Sequence, residues 1–187
     1  TNNKKAEASK FVNKTYIFPK NIEPYTYNTS TYMGMILSKT GENSKNILNY
    51  LKKIKVPNNL RRYDAFYFIV PKEFELIKEM LTTKFDELFG PKVSARAFTI
   101  EQTHHAKIIV ESSRELFISL GYSNKNLGIK RLNIPLPKKA SFATVMATGY
   151  YIIGKIQKQH PPYFKKSIEA YTKKASKIFK QDIKIME

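Results

Sequence analysis

Residues Asp64 to Val70 read DAFYFIV, an unbroken run of aromatic and β-branched side chains that stops at Pro71. Such a run fits a pleated, buried strand, and the proline ends it because it has no N–H to give to a ladder. Phe74, Ile77, Leu81, Phe85 and Leu88 follow at steps of three and four, so they share one face of a helix that stops at Gly90-Pro91. Lys92 to Ile100 then alternates as a second strand. Strand, helix and strand joined this closely predict an α/β fold, and the strands expected further on predict a mixed sheet.

The rest of the chain adds elements on both sides of this unit. Tyr16 to Thr31 mixes aromatics with Asn, Thr, Pro19 and Pro24, an irregular or edge-like pattern. Tyr32 to Ser38 (YMGMILS) reads as a short buried strand. Ser44 stands where a helix N-cap would, ahead of Ile47, Leu48, Leu51 and Ile54 at helical spacing and Pro57. Two more strands are expected at Ala106 to Val110 and Leu116 to Leu120, followed by an extended basic loop, Lys130 to Lys139. Phe142, Val145, Met146, Gly149, Ile152, Ile153 and Ile156 predict one C-terminal helix. Phe164, Ile168, Tyr171, Ala175 and Ile178 predict another after Pro161-Pro162, with Lys165, Lys166, Lys173, Lys174, Lys177 and Lys180 opposite. The expected organisation is one domain over 1–187, with a flexible arm over 1–15 and a basic helix over 161–182.

Charge limits the partners. The chain carries 33 Lys plus Arg against 15 Asp plus Glu, a formal net charge of +18. That imbalance opposes compaction by self-repulsion and points to a polyanionic partner, nucleic acid first and an anionic membrane surface second. With 42% hydrophobic residues the chain has the material for a core and is not a disordered basic tail. The absence of Cys excludes disulfides, thiolate nucleophiles and zinc–cysteine sites, and leaves the compartment open. No apolar run approaches the roughly 18 residues that a span needs, so no transmembrane segment is expected. No His/Asp/Glu group has metal-ligand spacing, and the glycines follow no phosphate-loop or dinucleotide pattern, so no metal or cofactor is expected. Opening at Thr1 rather than Met fits a processed or excised piece.

Two of the three histidines are adjacent, His104 and His105, with Lys107 two residues on. On a strand over Ala106 to Val110, His105 and Lys107 share a face and His104 points away. The next strand leads into Gly121-Tyr122-Ser123-Asn124, where a turn is expected to present Asn124 beside them. An imidazole that attacks phosphorus, an ammonium that neutralises a non-bridging oxygen and an amide that donates to another make a phosphate site. His160, before Pro161-Pro162, reads as a loop residue. Tyr25, Tyr27 and Tyr32 read as packing residues before base-stacking ones.

His105-Ala106-Lys107 followed by Gly121-Tyr122-Ser123-Asn124 resembles the H-x-K … G-S-x-N signature of the phospholipase D superfamily, its nuclease branch above all. The likeness covers about residues 103–127. It implies an α/β/α sandwich around a mixed sheet and a metal-independent phosphodiesterase acting on DNA or RNA, without a cofactor. It implies His105 as the nucleophile that forms a phosphohistidine, Lys107 and Asn124 as phosphate holders, and a homodimer that shares the site across a two-fold axis. Ser123, Lys130, Arg131, Lys138 and Lys139 would contact substrate. The chain differs from the family pattern at Ser112, where aspartate is common, and at Tyr122, where serine is expected. It also has no acidic residue between Glu115 and Glu169. A non-catalytic nucleic-acid-binding module with a degenerate site is the alternative, and a lipid phosphodiesterase ranks third.

Overall fold

The computed structural model describes residues 7–15, 17, 27–183 and 185. Strands β1 (Ala65–Val70), β2 (Ser94–Thr99), β3 (Glu115–Leu120) and β4 (Lys130–Ile134) form one sheet in the order β2-β1-β3-β4. Helices α1 (Tyr27–Thr40) and α2 (Ser44–Leu51) precede it, and α3 (Ile77–Phe89) and α4 (Ile100–His104) lie between strands. Helices α5 (Phe142–Gln159) and α6 (Tyr163–Phe179) close the chain. The α/β class and the β1-α3-β2 unit stand as the sequence predicts.

The sheet is not mixed. All three neighbouring pairs are parallel, with Tyr67 between Arg96 and Phe117, and Phe117 also beside Arg131. The expected strand over Ala106 to Val110 does not form. The backbone turns back at His105 (φ −83°, ψ 65°) and enters the left-handed region at Ala106 (φ 58°), which breaks the extended geometry at its start. Without that strand there is no hairpin, and β3 pairs with β1 instead. The sequence alternation there serves another end: Ile108 packs on the sheet, while Ile109 and Val110 are exposed.

Alternation sorts the strand residues onto two faces. Phe66, Phe68, Val70, Leu116, Ile118, Leu120 and Ile134 enter the main core with Leu81 and Phe85 of α3 and Ile152, Ile153 and Ile156 of α5. Tyr67, Ile69 and Phe117 point the other way and are covered by Phe98, Ile100, Ile108 and Leu127. Parallel sheets need both faces shielded. Here helices shield one face, and on the other α4 and loops do, among the described residues.

Tyr32 to Ser38 is the middle of α1, not a strand. Met33 and Ile36 touch the core while Tyr32 and Met35 are exposed, so the pattern of contact is helical. A short continuous apolar run fits either structure on periodicity alone. Asn43, not Ser44, caps α2: its Oδ1 accepts from the Asn46 N–H at 3.1 Å. Lys130 to Ile134 is strand β4, so the expected basic loop begins only at Pro135. In α6 only Ala175 is buried, and Tyr171 and Ile178 are exposed, so its apolar face is covered in part. Residues 1–6 and Tyr25 lie outside the described residues, as does the side chain of Tyr27, while Glu7–Phe11 form a 3-10 turn.

One polar contact ties the strands together. Glu115 at the start of β3 is 5% exposed and accepts from Arg96 Nε at 3.1 Å and from Arg96 Nη2 at 2.9 and 2.8 Å. Arg96 also lies 4.7 Å over the Tyr67 ring and donates to the Lys107 carbonyl at 3.2 Å. The bridge spans from β2 to β3 across the central strand, where Tyr67 is the register partner of Arg96 and Ala65 that of Glu115. Losing the guanidinium strands a buried carboxylate. A fully buried pair costs about 3–5 kcal/mol to break, and the partial exposure of Arg96 lowers the expectation to about 2–3 kcal/mol. Arg96→Ala is therefore expected to lower the unfolding free energy by that amount, read in urea as a lower midpoint with an unchanged m-value, while Lys92→Ala on the exposed turn before β2 leaves the midpoint in place.

Candidate nucleic-acid interface

Because every strand is parallel, all four carboxyl ends lie on one edge of the sheet. The connection after β1 runs through α3 on the helical face, and the connection after β3 packs Leu127 on the other face. The chain thus leaves the sheet toward opposite faces after β1 and β3, and open α/β sheets take their ligands at carboxyl ends where the departures diverge in this way. The loops converge there. Gly121 (φ 72°) follows β3, and a Cβ on it would sit 3.0 Å from Leu136 Cδ1 and 3.4 Å from Pro71 Cγ.

The sequence-predicted residues divide along this edge. Ser123 follows β3 and Lys138 and Lys139 follow β4, all exposed on the carboxyl-end rim. His105 caps α4 beyond β2 and is also exposed. Lys130 and Arg131 stand at the amino end of β4, away from that rim, and Arg131 donates to the Gly128 carbonyl. Gly128 is itself fixed by packing: at φ 73° a Cβ would fall 2.2 Å from Phe117 Cδ2.

Asn124 does not join His105 and Lys107. Its carboxamide is 2% exposed and closed on its own loop, Nδ2 donating to the Leu127 carbonyl at 2.9 Å and Oδ1 accepting from the Leu127 N–H at 2.8 Å. Asn133 holds the same loop from β4: Asn133 Nδ2 donates to the Asn124 carbonyl at 3.0 Å, and Asn133 Oδ1 accepts from the Asn124 N–H at 3.2 Å. Lys107 places its ammonium 5.4 Å from the Phe98 ring centre. Phe98 and Asn133 end one cross-strand row, Phe98, Ile69, Ser119, Asn133, which spans three strand spacings or about 14 Å. The expected phosphate site is thus split, with Lys107 at one end and a structural asparagine at the other.

A different basic constellation takes shape at the β4 end of the rim. No Asp or Glu occurs in residues 43–63 or in residues 116–168. The fold brings these two stretches together around a cavity of about 430 Å³ lined by Tyr50, Lys53, Ile54, Lys55, Asn133 and Pro135 to Pro137. Tyr50 Oη donates to the Pro135 carbonyl at 3.1 Å, which fixes the ring. Ile54 and Val56 turn into the core, so Lys53 and Lys55 between and beside them face outward. The first two strands contribute the acids instead. Lys72 pairs with Glu75 at 3.3 Å, and Glu101 is held below its ordinary value by the Thr99 hydroxyl and its own N–H, with Lys72 and His104 nearby. Sequence reading passed over Tyr50, Lys53 and Lys55. The signal was there in the acid-free basic run Lys52-Lys53-Ile54-Lys55.

His160 is not a free loop residue. It caps α5, with its ring 5.8 Å from Phe89 and 6.3 Å from Phe66, and burial pushes its pKa down. It faces away from the rim and takes no part in the site. Among the described residues no group of three or more His, Asp or Glu is placed to hold a metal, and no helix is long and apolar enough to cross a membrane. These features define the class as an α/β protein with a parallel sheet and a basic carboxyl-end rim. No family model, curated protein or solved structure matches the chain.

Glu42, which immediately precedes the first acid-free stretch, is satisfied inside the fold. Glu42 accepts from the N–H groups of Ser141 (2.9 Å), Ala143 (2.8 Å) and Thr144 (3.1 Å), and from the Thr144 hydroxyl. It fills the anion position at the N-terminus of α5, which leaves that helix end closed to a ligand phosphate. Burial raises its pKa, but the bonds from Thr144, Ser141 and Thr40 outweigh that and hold it below the ordinary 4.5. With the folded value depressed, the stabilisation is present above the ordinary carboxylate range and is lost as pH falls through the folded value. Glu42→Gln is expected to cost about 1–2 kcal/mol at pH 7, and much less at pH 3, in urea titrations across that range.

Proposed function

We propose that this chain binds nucleic acid along the carboxyl-end rim at β3 and β4. The observation that carries the reading is the meeting of two acid-free stretches, 43–63 and 116–168, around Lys53, Lys55, Lys138 and Lys139, with Lys125 in the neighbouring loop. The cations are free to act: five ion pairs form among the described residues, and none involves these lysines. Lysines contribute as point charges that release counterions, so affinity depends on salt more than on sequence. Lys165, Lys166, Lys173, Lys174 and Lys177, exposed on α6, and Lys180, exposed just after it, add to the long-range field.

Five lysines on a single strand give an expected slope of log affinity against log salt of about −3 to −4, at about −0.7 per phosphate. Fluorescence anisotropy with labelled oligonucleotides across a salt series measures it. A response that is flat in salt would remove nucleic acid as the partner.

A metal-independent phosphodiesterase of the phospholipase D type is the second reading, favoured by the exposure of both His105 and Lys107 on one tight turn. His105 would attack phosphorus, and a second His105, across a two-fold dimer, would protonate the leaving oxygen. Asn124 would have to leave both of its bonds to Leu127 to hold the phosphate. This reading expects cleavage of DNA or RNA in chelator that is abolished in His105→Ala and retained in His104→Ala. The binding-module reading expects no cleavage and unchanged affinity in His105→Ala.

A further inference from the structure

The cavity beside β4 has a more specific shape than a charged surface requires. We propose that it seats one unstacked nucleotide of a single strand, with the base against Tyr50 and the flanking phosphates on Lys53 and Lys55. The proposal rests on the nucleic-acid reading above and deepens it.

Size and walls support a single base. About 430 Å³ lies within the range of small-ligand sites, roughly 300–1,000 Å³. Tyr50, pinned by the bond from its hydroxyl to the Pro135 carbonyl, lines the pocket together with the Pro135-Leu136-Pro137 segment, stiffened by two prolines. A fixed aromatic ring is a stacking platform that loses little further freedom when a base arrives. A duplex keeps its bases stacked and paired, so its backbone cannot deliver one into a concave site without flipping it out.

Charge places the backbone. Lys53 and Lys55 stand two residues apart just past the end of α2, Lys53 in the turn that closes the helix (its N–H donates to the Tyr50 carbonyl at 2.9 Å), with Ile54 anchored in the core between them. Both lysines are exposed and line the pocket, and Lys138 and Lys139, also exposed, follow the lining residue Pro137 in the chain. The one side-chain amide in the lining, Asn133, is already spent on Asn124 through both its oxygen and its nitrogen. Little is left to read a base edge, so recognition rests on stacking and phosphate and tolerates any base.

The test uses the full chain with labelled single-stranded dT and dA decamers, the matching duplex, free thymidine monophosphate, and a dT decamer carrying one 5-iododeoxyuridine for photocross-linking. Lys53→Ala/Lys55→Ala is expected to weaken decamer binding about tenfold and to reduce the salt slope by about 1.4, two phosphates at about 0.7 each. Lys173→Ala/Lys177→Ala on α6 removes the same charge and is expected to cost less than about threefold. The dT and dA decamers should bind alike, the duplex more weakly, and the cross-link should map to Tyr50 and vanish in Tyr50→Leu. Equal losses in the two lysine pairs, or a cross-link elsewhere in the wild type, would overturn the pocket while leaving nucleic-acid binding in place. Thymidine monophosphate binding as tightly as the decamer would overturn it in favour of a free nucleotide. No binding of any oligonucleotide would overturn both readings.

Discussion

Strand β1 pairs in parallel on both sides, and that arrangement sets the rest of the molecule. A parallel neighbour cannot be reached by a tight hairpin, so the chain must recross the sheet after every strand. The crossing from β1 to β2 uses α3 and builds the helical layer with α5. The crossings after β2 and β3 run over the opposite face and bring Ile100, Ile108 and Leu127 onto Tyr67, Ile69 and Phe117. With no second helical layer there among the described residues, these loops do the shielding. Hence their fixed geometry: the turn at His105, the left-handed Ala106 and the Asn124–Leu127 closure are all ways of holding loop over sheet.

The same constraint explains why polar groups sit where they do. Glu115 begins β3 in a buried position, and a bidentate arginine from β2 reaches over the central strand to meet it. Asn133 on β4 clamps the loop that carries Asn124, so the two asparagines act as a pair. Glu42 is drawn into the N-terminus of α5. Each is a charge or amide used by the scaffold. What remains on the β3–β4 side of the carboxyl-end rim is lysine, with Tyr50 as its aromatic wall. A stretch without acids offers its lysines no acidic partner of its own, and two such stretches side by side concentrate positive charge on that part of the surface.

Much of the scaffold was legible in the sequence. DAFYFIV is rich in aromatic and β-branched residues and closed by a proline, Leu116 to Leu120 is a short run of the same kind, and Phe74 to Leu88 keeps one face for more than three turns. The misreadings have a common form. YMGMILS and HHAKIIV are short apolar or alternating segments whose local pattern fits more than one structure. The first is covered on one side only and becomes a helix. The second lies across the sheet without a ladder, so its backbone was free to turn. The motif that rested on it, His105, Lys107 and Asn124, depended on a hairpin that does not form.

The sequence by itself determined the class of fold, the positions of most helices and strands, and a formal net charge of +18. These follow from composition and periodicity, which are properties of neighbouring residues. Only the tertiary structure decided the direction of the strands, and with it which loops share an edge. That decision separated Lys107 from Asn124 by the width of the sheet and set Tyr50, Lys53 and Lys55 beside Pro135. The physical reason is that strand order is fixed by long-range burial and pairing. Two segments some 80 residues apart carry no mark in their local pattern that they will meet.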